Sequence, residues 1–308
     1  MTLIINSVLP IFAVIVLGSF LKRVGWLDDA FIRASDRMIY YLFFPCLLFW
    51  KIGKPAKTGT MEWDLILLVL GAVFLVFVMS LVFVRLFRVP DYEVGSFSQS
   101  CYRFNTYIGM ALILSSVGEE GVRLFGILIG FIIPFINVLA VSSMIFYSGG
   151  LAADQGKAGM VLKAMVSNPL IAACVSGVVY ARVGPPFPLF VENTFALVSL
   201  LTLPLALLSI GGTLTFSGLK NHLGKALTAA AFKLVVLPVV GYALLKVFGV
   251  AVPAFTVAMI YFALPTSPQN YILSSQLNSD IELATSAIVL STVLSMVSLS
   301  AVLLIFGQ

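Results

Sequence analysis

The sequence predicts an all-α integral membrane protein: ten transmembrane helices forming two inverted five-helix repeats, with helices 4 and 9 broken and crossing. Three observations predict it. The first is composition: of 308 residues, 60% are hydrophobic and only 10% charged, with a mean hydropathy of +1.09. A water-facing domain carries about 25% charged residues, which excludes a water-soluble enzyme. The second is spacing. A transmembrane helix needs ~20 apolar residues, so ten would take about 200 and leave roughly ten residues for each connection or tail. The third is an internal repeat at an offset of 159 residues.

Taken in order, the apolar stretches run near 3–21, 31–50, 63–87, 94–117, 121–147, 160–181, 187–212, 224–248, 252–277 and 282–306. Gly, Pro and charged residues fill the connections, none of them long enough for a domain. The first ten residues, MTLIINSVLP, have no basic segment and no small-residue cleavage site, so they read as the start of a span. One side of the membrane holds Lys51, Lys54, Lys57, Arg123, Arg182 and Lys246. The other holds Lys22, Arg23, Arg33, Arg37, Arg85, Arg88, Lys157, Lys163, Lys220 and Lys225. The positive-inside rule puts the second set in the cytoplasm and both termini outside. The net charge of +5 has the same origin, and nucleic acid is not an expected partner. Cys46, Cys101 and Cys174 lie inside apolar stretches at no metal-binding spacing, so they read as small packing residues.

The repeat pairs Val24-Gly25 with Val183-Gly184, Pro45 with Pro204, Gly53 with Gly212, and Ser115-Ser116 with Ser274-Ser275. It divides the chain into 1–150 and 151–308, one membrane domain of two halves. Five spans per half is an odd number, so the halves face opposite ways, as in many secondary transporters.

Such carriers bind substrate where helices are interrupted near the bilayer midplane. Span 4 has Arg103, Asn105, Thr106 and Gly109 at its centre; span 9 has Pro265, Thr266, Ser267, Pro268, Gln269 and Asn270. Two prolines three apart remove two backbone donors and disfavour helix before each, so no continuous helix runs through 265–268. Half-helix N-termini at such breaks offer free N–H groups to an anion. Asn105, Thr106, Gln269 and Asn270 add neutral donors, while Gly109 and the proline-containing run read as hinges. The alternative is two kinked helices whose polar residues satisfy one another.

An ionisable group at membrane depth costs roughly 2.5–3.5 kcal/mol on insertion. Arg103 sits two residues before the break and Lys233 about ten residues into span 8; either attracts an anion, or Arg103 satisfies carbonyls freed by the break and Lys233 pairs with an acid or snorkels. All acids fall in loops or near span ends; Asp36 and Glu192, each at the start of the second span of its half, come nearest to a proton-coupling position. Asp28-Asp29 and Glu119-Glu120 read as helix-start acids. His222, the single histidine, has no His or Cys near it in sequence, so no zinc site is expected. Gly126 and Gly130 form a close-packing GxxxG. Asn6, Asn137 and Asn168 line a cavity or bridge helices.

Arg103-Phe104-Asn105-Thr106-Tyr107-Ile108-Gly109 resembles the fourth span of the auxin efflux carrier family. Ala263-Leu264-Pro265 with its polar run, and then Ile281-Glu282-Leu283-Ala284, resemble the family's ninth span and the start of its tenth. Asn168-Pro169 and Ile210-Gly211-Gly212 are similar to its bacterial branch. The resemblance implies a fold related to the bile-acid sodium symporters, a location in the bacterial cytoplasmic membrane, and a core of spans 4, 5, 9 and 10 moving against a scaffold that could dimerise. It places the crossover asparagine on Asn105 and the polar pair on Gln269 and Asn270.

The expected function is secondary or facilitative transport of a small organic anion, such as malate, malonate or an auxin-like acid, by alternating access. No cofactor is expected. Sodium or proton coupling stays open, through Asp36, Glu192, Lys233 or Asn137. The alternatives are a sodium-coupled carrier of a larger amphipathic anion and a membrane sensor that moves nothing. A membrane enzyme lacks a nucleophile–base or metal cluster in any span, and no phosphate-binding loop supports ATP drive.

Overall fold

The computed structural model describes residues 2–54, 63–147, 168–214 and 219–307. The expected opening of span 6 at 160–167, the junction of the two halves at 150/151, and loop residues Lys57, Glu62, Asp154, Lys157 and Lys163 lie outside the described residues. Those described are helical or connecting, with no strand among them. In chain order the helices are α1 (Thr2–Arg23), α2 (Asp29–Met38), α3 (Phe44–Gly53), α4 (Trp63–Leu86), α5 (Asp91–Tyr102), α6 (Thr106–Ser116), α7 (Glu119–Tyr147), α8 (Pro169–Val183), α9 (Leu189–Thr213), α10 (Leu219–Ala231), α11 (Leu237–Val247), α12 (Ala254–Ala263), α13 (Gln269–Gln276) and α14 (Ile281–Phe306). Among the described residues, six helical stretches are long and apolar enough to cross a membrane: those beginning at Ile5, Trp63, Glu119, Leu189, Leu219 and Ile281.

Two helices continue through a wider turn that the sequence reading did not anticipate. Residues Ile39–Phe43 join α2 to α3, and Phe232–Val236 join α10 to α11, as single π turns. Each immediately precedes a proline at the second position of the next helix, Pro45 and Pro238. Proline has no N–H and its ring crowds the carbonyl four residues back. The helix widens there, so that Phe44 N–H reaches Ile39 O and Leu237 N–H reaches Phe232 O, five residues back. One extra residue per turn keeps the helix going where proline would otherwise break it.

The chain forms two compact units, each drawing on both halves of the sequence. The first comprises Met1–Trp63, Tyr107–Ile133 and Val166–Thr213. In it α1 packs on α9 and α3 on α8. The α1–α9 contact is made by glycine: a Cβ on Gly18 would strike the carbonyl of Leu208, and one on Gly211 would strike the carbonyl of Ile15. Gly126 packs against Ile52 and Gly130 against Cys174, the close approach expected of the GxxxG. Phe49, Tyr180, Phe187 and Phe195 form an aromatic cluster, with Tyr180 and Phe187 stacked at 4.6 Å. At its helix ends Asp28 caps α2 by accepting from Phe31 N at 2.6 Å, and Asp29 pairs with Lys22.

The second unit comprises Asp64–Thr106, Pro134–Met165 and Leu214–Gln308. Here α10 and α12 pack along α14, and α5 lies against α10, α13 and α14. This unit contains both interruptions foreseen in the sequence. The first separates α5 from α6 at residues 103–105, and the second separates α12 from α13 at 264–268.

Candidate functional site

Helix α5 reads DYEVGSFSQSCY, yet every residue from Glu93 to Tyr102 is buried. So polar a helix is stable in an interior only if each donor and acceptor finds a partner. The partners come largely from α13. Asn270 donates through Nδ2 to Ser100 Oγ at 2.5 Å and to Ser96 O at 3.3 Å, and its Oδ1 accepts from Ser274 Oγ at 3.2 Å. Gln99 Nε2 donates to Ser274 Oγ at 3.1 Å and to Asn270 O at 3.4 Å. Ser96 Oγ bonds Ser274 and Ser279 at 2.8 and 2.9 Å.

The two interruptions meet. Asn105 N donates to Pro265 O at 2.9 Å, so the first break needs no proline: the amide that would have continued α5 is taken by the backbone of the second break. Pro265 has no N–H to offer Tyr261 O, and Thr266 N turns away to Ser291 Oγ at 3.2 Å. Leu264 N reaches Tyr261 O at 3.3 Å, and the carbonyls of Phe262 and Ala263 that end α12 need other donors. Lys233, fully buried in its π turn, supplies them, with Nζ 2.8 Å from Phe262 O and 3.5 Å from Tyr261 O. Ser298 Oγ donates to Ala263 O at 3.0 Å.

Arg103 is also fully buried. Its Nε donates to Gln99 Oε1 at 2.9 Å and its Nη2 to Asn137 Oδ1 at 3.0 Å. Among the described residues neither Arg103 nor Lys233 forms an ion pair. Lys233 thus takes the role weighed for Arg103, satisfying carbonyls at a break, while Arg103 binds side-chain amides. Asn137 bridges α7 to α5, whereas Asn168 caps its own helix by accepting from Leu170 N, and Asn6 is exposed.

The remaining expected site residues separate by surroundings. Asn105 and Thr266 are buried, and Thr266 Oγ1 has no partner among the described residues. Thr106 opens α6 and is half-buried, while Gly109 lies inside α6, beyond the break. Ser267 Oγ accepts from Gln269 N at 3.3 Å, and Pro268 precedes the first residue of α13. Gln269 is half-buried and its side-chain amide makes no hydrogen bond among the described residues, so the Gln269–Asn270 pair divides into one open and one enclosed amide. In the first unit, Asp36 is exposed and accepts from Ser209 Oγ, and Glu192 pairs with Lys54 at 2.7 Å.

Sequence reasoning gave no site role to Gln99, Ser96, Ser100, Ser274 and Ser291, which supply most of the polar contacts. The alternating polar run Ser96, Ser98, Ser100 within a predicted span was the signal. It also took His222 as isolated. In the structure Glu93, His222 and Asp280 bring one ligand atom each within 4.8 Å of one another. Lys225 already pairs with Glu93. These residues come together only through the packing of α5, α10 and α14, and their sequence spacing carries no trace of it.

A family described as membrane transport protein matches residues 3–152 and 157–303. A protein of Rhizobium meliloti named "Putative malonate transporter" is 25% identical, over 97% of this chain and 95% of its own. Proteins named uncharacterized transporters, from Methanocaldococcus jannaschii and Methanothermobacter thermautotrophicus, are 22% and 23% identical. They cover 94% and 96% of this chain and 95% of their own lengths.

Proposed function

The chain belongs to the membrane transport protein family, a family of transporters and not of enzymes, and from that premise we propose that it is a secondary carrier of a small organic carboxylate working by alternating access. The observation that carries the anion is Arg103. A guanidinium does not deprotonate in proteins and has five donors; here it is buried between two neutral amide oxygens, with no carboxylate paired to it among the described residues. A buried charge without a counter-charge is costly, and a bound anion supplies one. The Thr266 hydroxyl, without a partner among the described residues, and the open Gln269 amide lie at the second break, whose Pro265 O accepts from Asn105 N, and orient the carboxylate. The name of the Rhizobium relative makes malonate the first acid to try.

In this reading the protein has ten spans in two inverted repeats. The breaks support it: Asn105 and Leu264 are 159 residues apart, the offset of the sequence repeat. The π turns support it too, because they join α2 to α3 and α10 to α11 into single rods. Spans 4, 5, 9 and 10 form the moving core, the scaffold helices pair two copies, and both termini lie outside the cytoplasm of a bacterial inner membrane. Asp36 and Glu192 are the candidates for proton coupling.

Counterflow in liposomes tests this. Purified protein is loaded with unlabelled malonate, malate or indole-3-acetate, and uptake of the labelled acid is followed with sodium or potassium and with or without a pH gradient. Saturable counterflow of one acid, lost in Gln269→Ala, is the expected result. A strict sodium requirement together with preference for a larger amphipathic acid would favour the symporter reading. Binding without counterflow would make the protein a sensor, and counterflow of neutral solutes alone would overturn the anion assignment.

A further inference from the structure

The end of α4 carries a second group of basic residues, separated from the first helix break by the length of α5. At 1.5 Å per residue, the 24 residues of α4 span about 36 Å against a hydrocarbon core of ~30 Å. Arg85 and Arg88 therefore fall at the level of lipid headgroups, whichever way the chain is oriented. With Val84, Val89, Pro90, Asp91 and Tyr147 they line an open cavity of about 380 Å³. Neither arginine forms an ion pair among the described residues, although the Asp91 carboxylate shares the cavity. Two cations face one acid, beside the N-terminal amides of α5, and an anion balances them.

The backbone at Arg88 makes the point independently. Among the described residues, four helices end in the same motif, in which the N–H that follows a left-handed residue reaches the carbonyl five residues back: Trp26 to Leu21, Val89 to Val84, Val250 to Leu245, and Ser279 to Ser274. The residue before each of these donors lies in the left-handed region. Three of the four are Gly25, Gly249 and Asn278, types that tolerate it; the fourth is Arg88, with φ 51°. A long β-carbon-bearing side chain is disfavoured there where glycine is not. Packing does not require it, since Arg88 is exposed.

We propose that Arg85 and Arg88 form a binding site for the phosphate of an anionic phospholipid. The choice of lipid over a soluble phosphate rests on what flanks the cavity. Val82, Leu86 and Phe87 are exposed apolar residues on the same helix end, Leu86 by 73%, and Val78, Met79 and Leu75 continue an exposed apolar surface down α4. Tyr92 and Phe146 add exposed aromatic rings at the same level, where membrane proteins place them. A headgroup on the arginines would lay its acyl chains along α4.

The test measures lipid binding by native mass spectrometry and thermal unfolding of the full chain, with phosphatidylglycerol, phosphatidylcholine or inorganic phosphate added. The variants are Arg88→Gly, Arg85→Gln and the double. Glycine suits the left-handed position, so Arg88→Gly unfolds no earlier than wild type in lipid-free detergent, which separates lost binding from lost folding. Each basic side chain at an anionic surface is worth about fivefold in binding, so the double variant loses roughly thirtyfold in affinity for phosphatidylglycerol. Its phosphatidylglycerol-dependent thermal shift disappears as well. Equal stabilisation by the two lipids, or an undiminished shift in the double variant, overturns the site. Inorganic phosphate reproducing the shift without lipid overturns the lipid as occupant.

Discussion

Asn270 and Gln269 are adjacent amides at the start of one half-helix, and the structure gives them opposite consequences. Replacing Asn270 with alanine removes three hydrogen bonds, at 2.5, 3.2 and 3.3 Å, from a site with no solvent access. At about 1 kcal/mol net for each, the gross loss is about 3 kcal/mol. Part is recovered, because Ser100 Oγ still donates to Ser96 O at 2.7 Å and Ser274 Oγ still accepts from Gln99 and Ser96. What is stranded is the Ser274 hydroxyl proton. We therefore expect Asn270→Ala to destabilise the protein by about 2–3 kcal/mol, a fall in melting temperature of roughly 3–5 °C for a chain of this size. Gln269→Ala removes no side-chain hydrogen bond among the described residues and should leave the melting temperature within about 1 °C, while lowering carboxylate counterflow. Thermal unfolding in detergent and counterflow in liposomes, run on both variants, measure the two effects separately. If Asn270→Ala melts with wild type, or Gln269→Ala costs as much stability, the division into an enclosed and an open amide is wrong.

Glycine substitutions should show opposite signs according to what their Cβ meets. Gly211→Ala drives a methyl into the carbonyl of Ile15, which cannot rotate away as a side chain could, and is expected to cost about 1–3 kcal/mol in thermal unfolding. Gly71→Ala meets nothing within 4 Å in the middle of α4 and should stabilise by about 0.5–1 kcal/mol. At the exposed start of α2, the Lys22 ammonium bonded to Asp29 holds that carboxyl below its usual value. A depressed folded pKa contributes stability above the unfolded value of 3.8 and loses it as pH falls through the folded one. Melting temperature should therefore drop more steeply below about pH 4 in wild type than in Asp29→Asn, and equal slopes would show that the pair contributes nothing.

The two interruptions, at 103–105 and 264–268, were legible for different reasons. At 265–268 two prolines remove backbone donors, a local and covalent fact, so the interruption follows from the chain alone. At 103–105 no residue forbids helix; the sequence showed only polar groups in an apolar span, and the break is completed by the Asn105–Pro265 hydrogen bond between segments 160 residues apart. The long apolar helices were equally legible, because burial in hydrocarbon demands an unbroken run of apolar side chains that composition displays directly. The π turns before Pro45 and Pro238 were not, since a proline in a span is compatible with a kink, a break or a widened turn, and packing around it selects one.

Charge placement divides in the same way. That Arg103 and Lys233 sit deep within spans, and that the acids collect at span ends, is sequence information, because the cost of burying charge restricts where it can appear. Which cation takes which partner was decided by tertiary structure. Lys233 holds carbonyls of α12 that only the break exposes, and Arg103 lies between amides contributed by α5 and α7. Hydrophobicity is a property of each residue and survives in the sequence. A hydrogen bond between distant segments is a property of a pair, and comes into being only when the fold brings its donor and acceptor together.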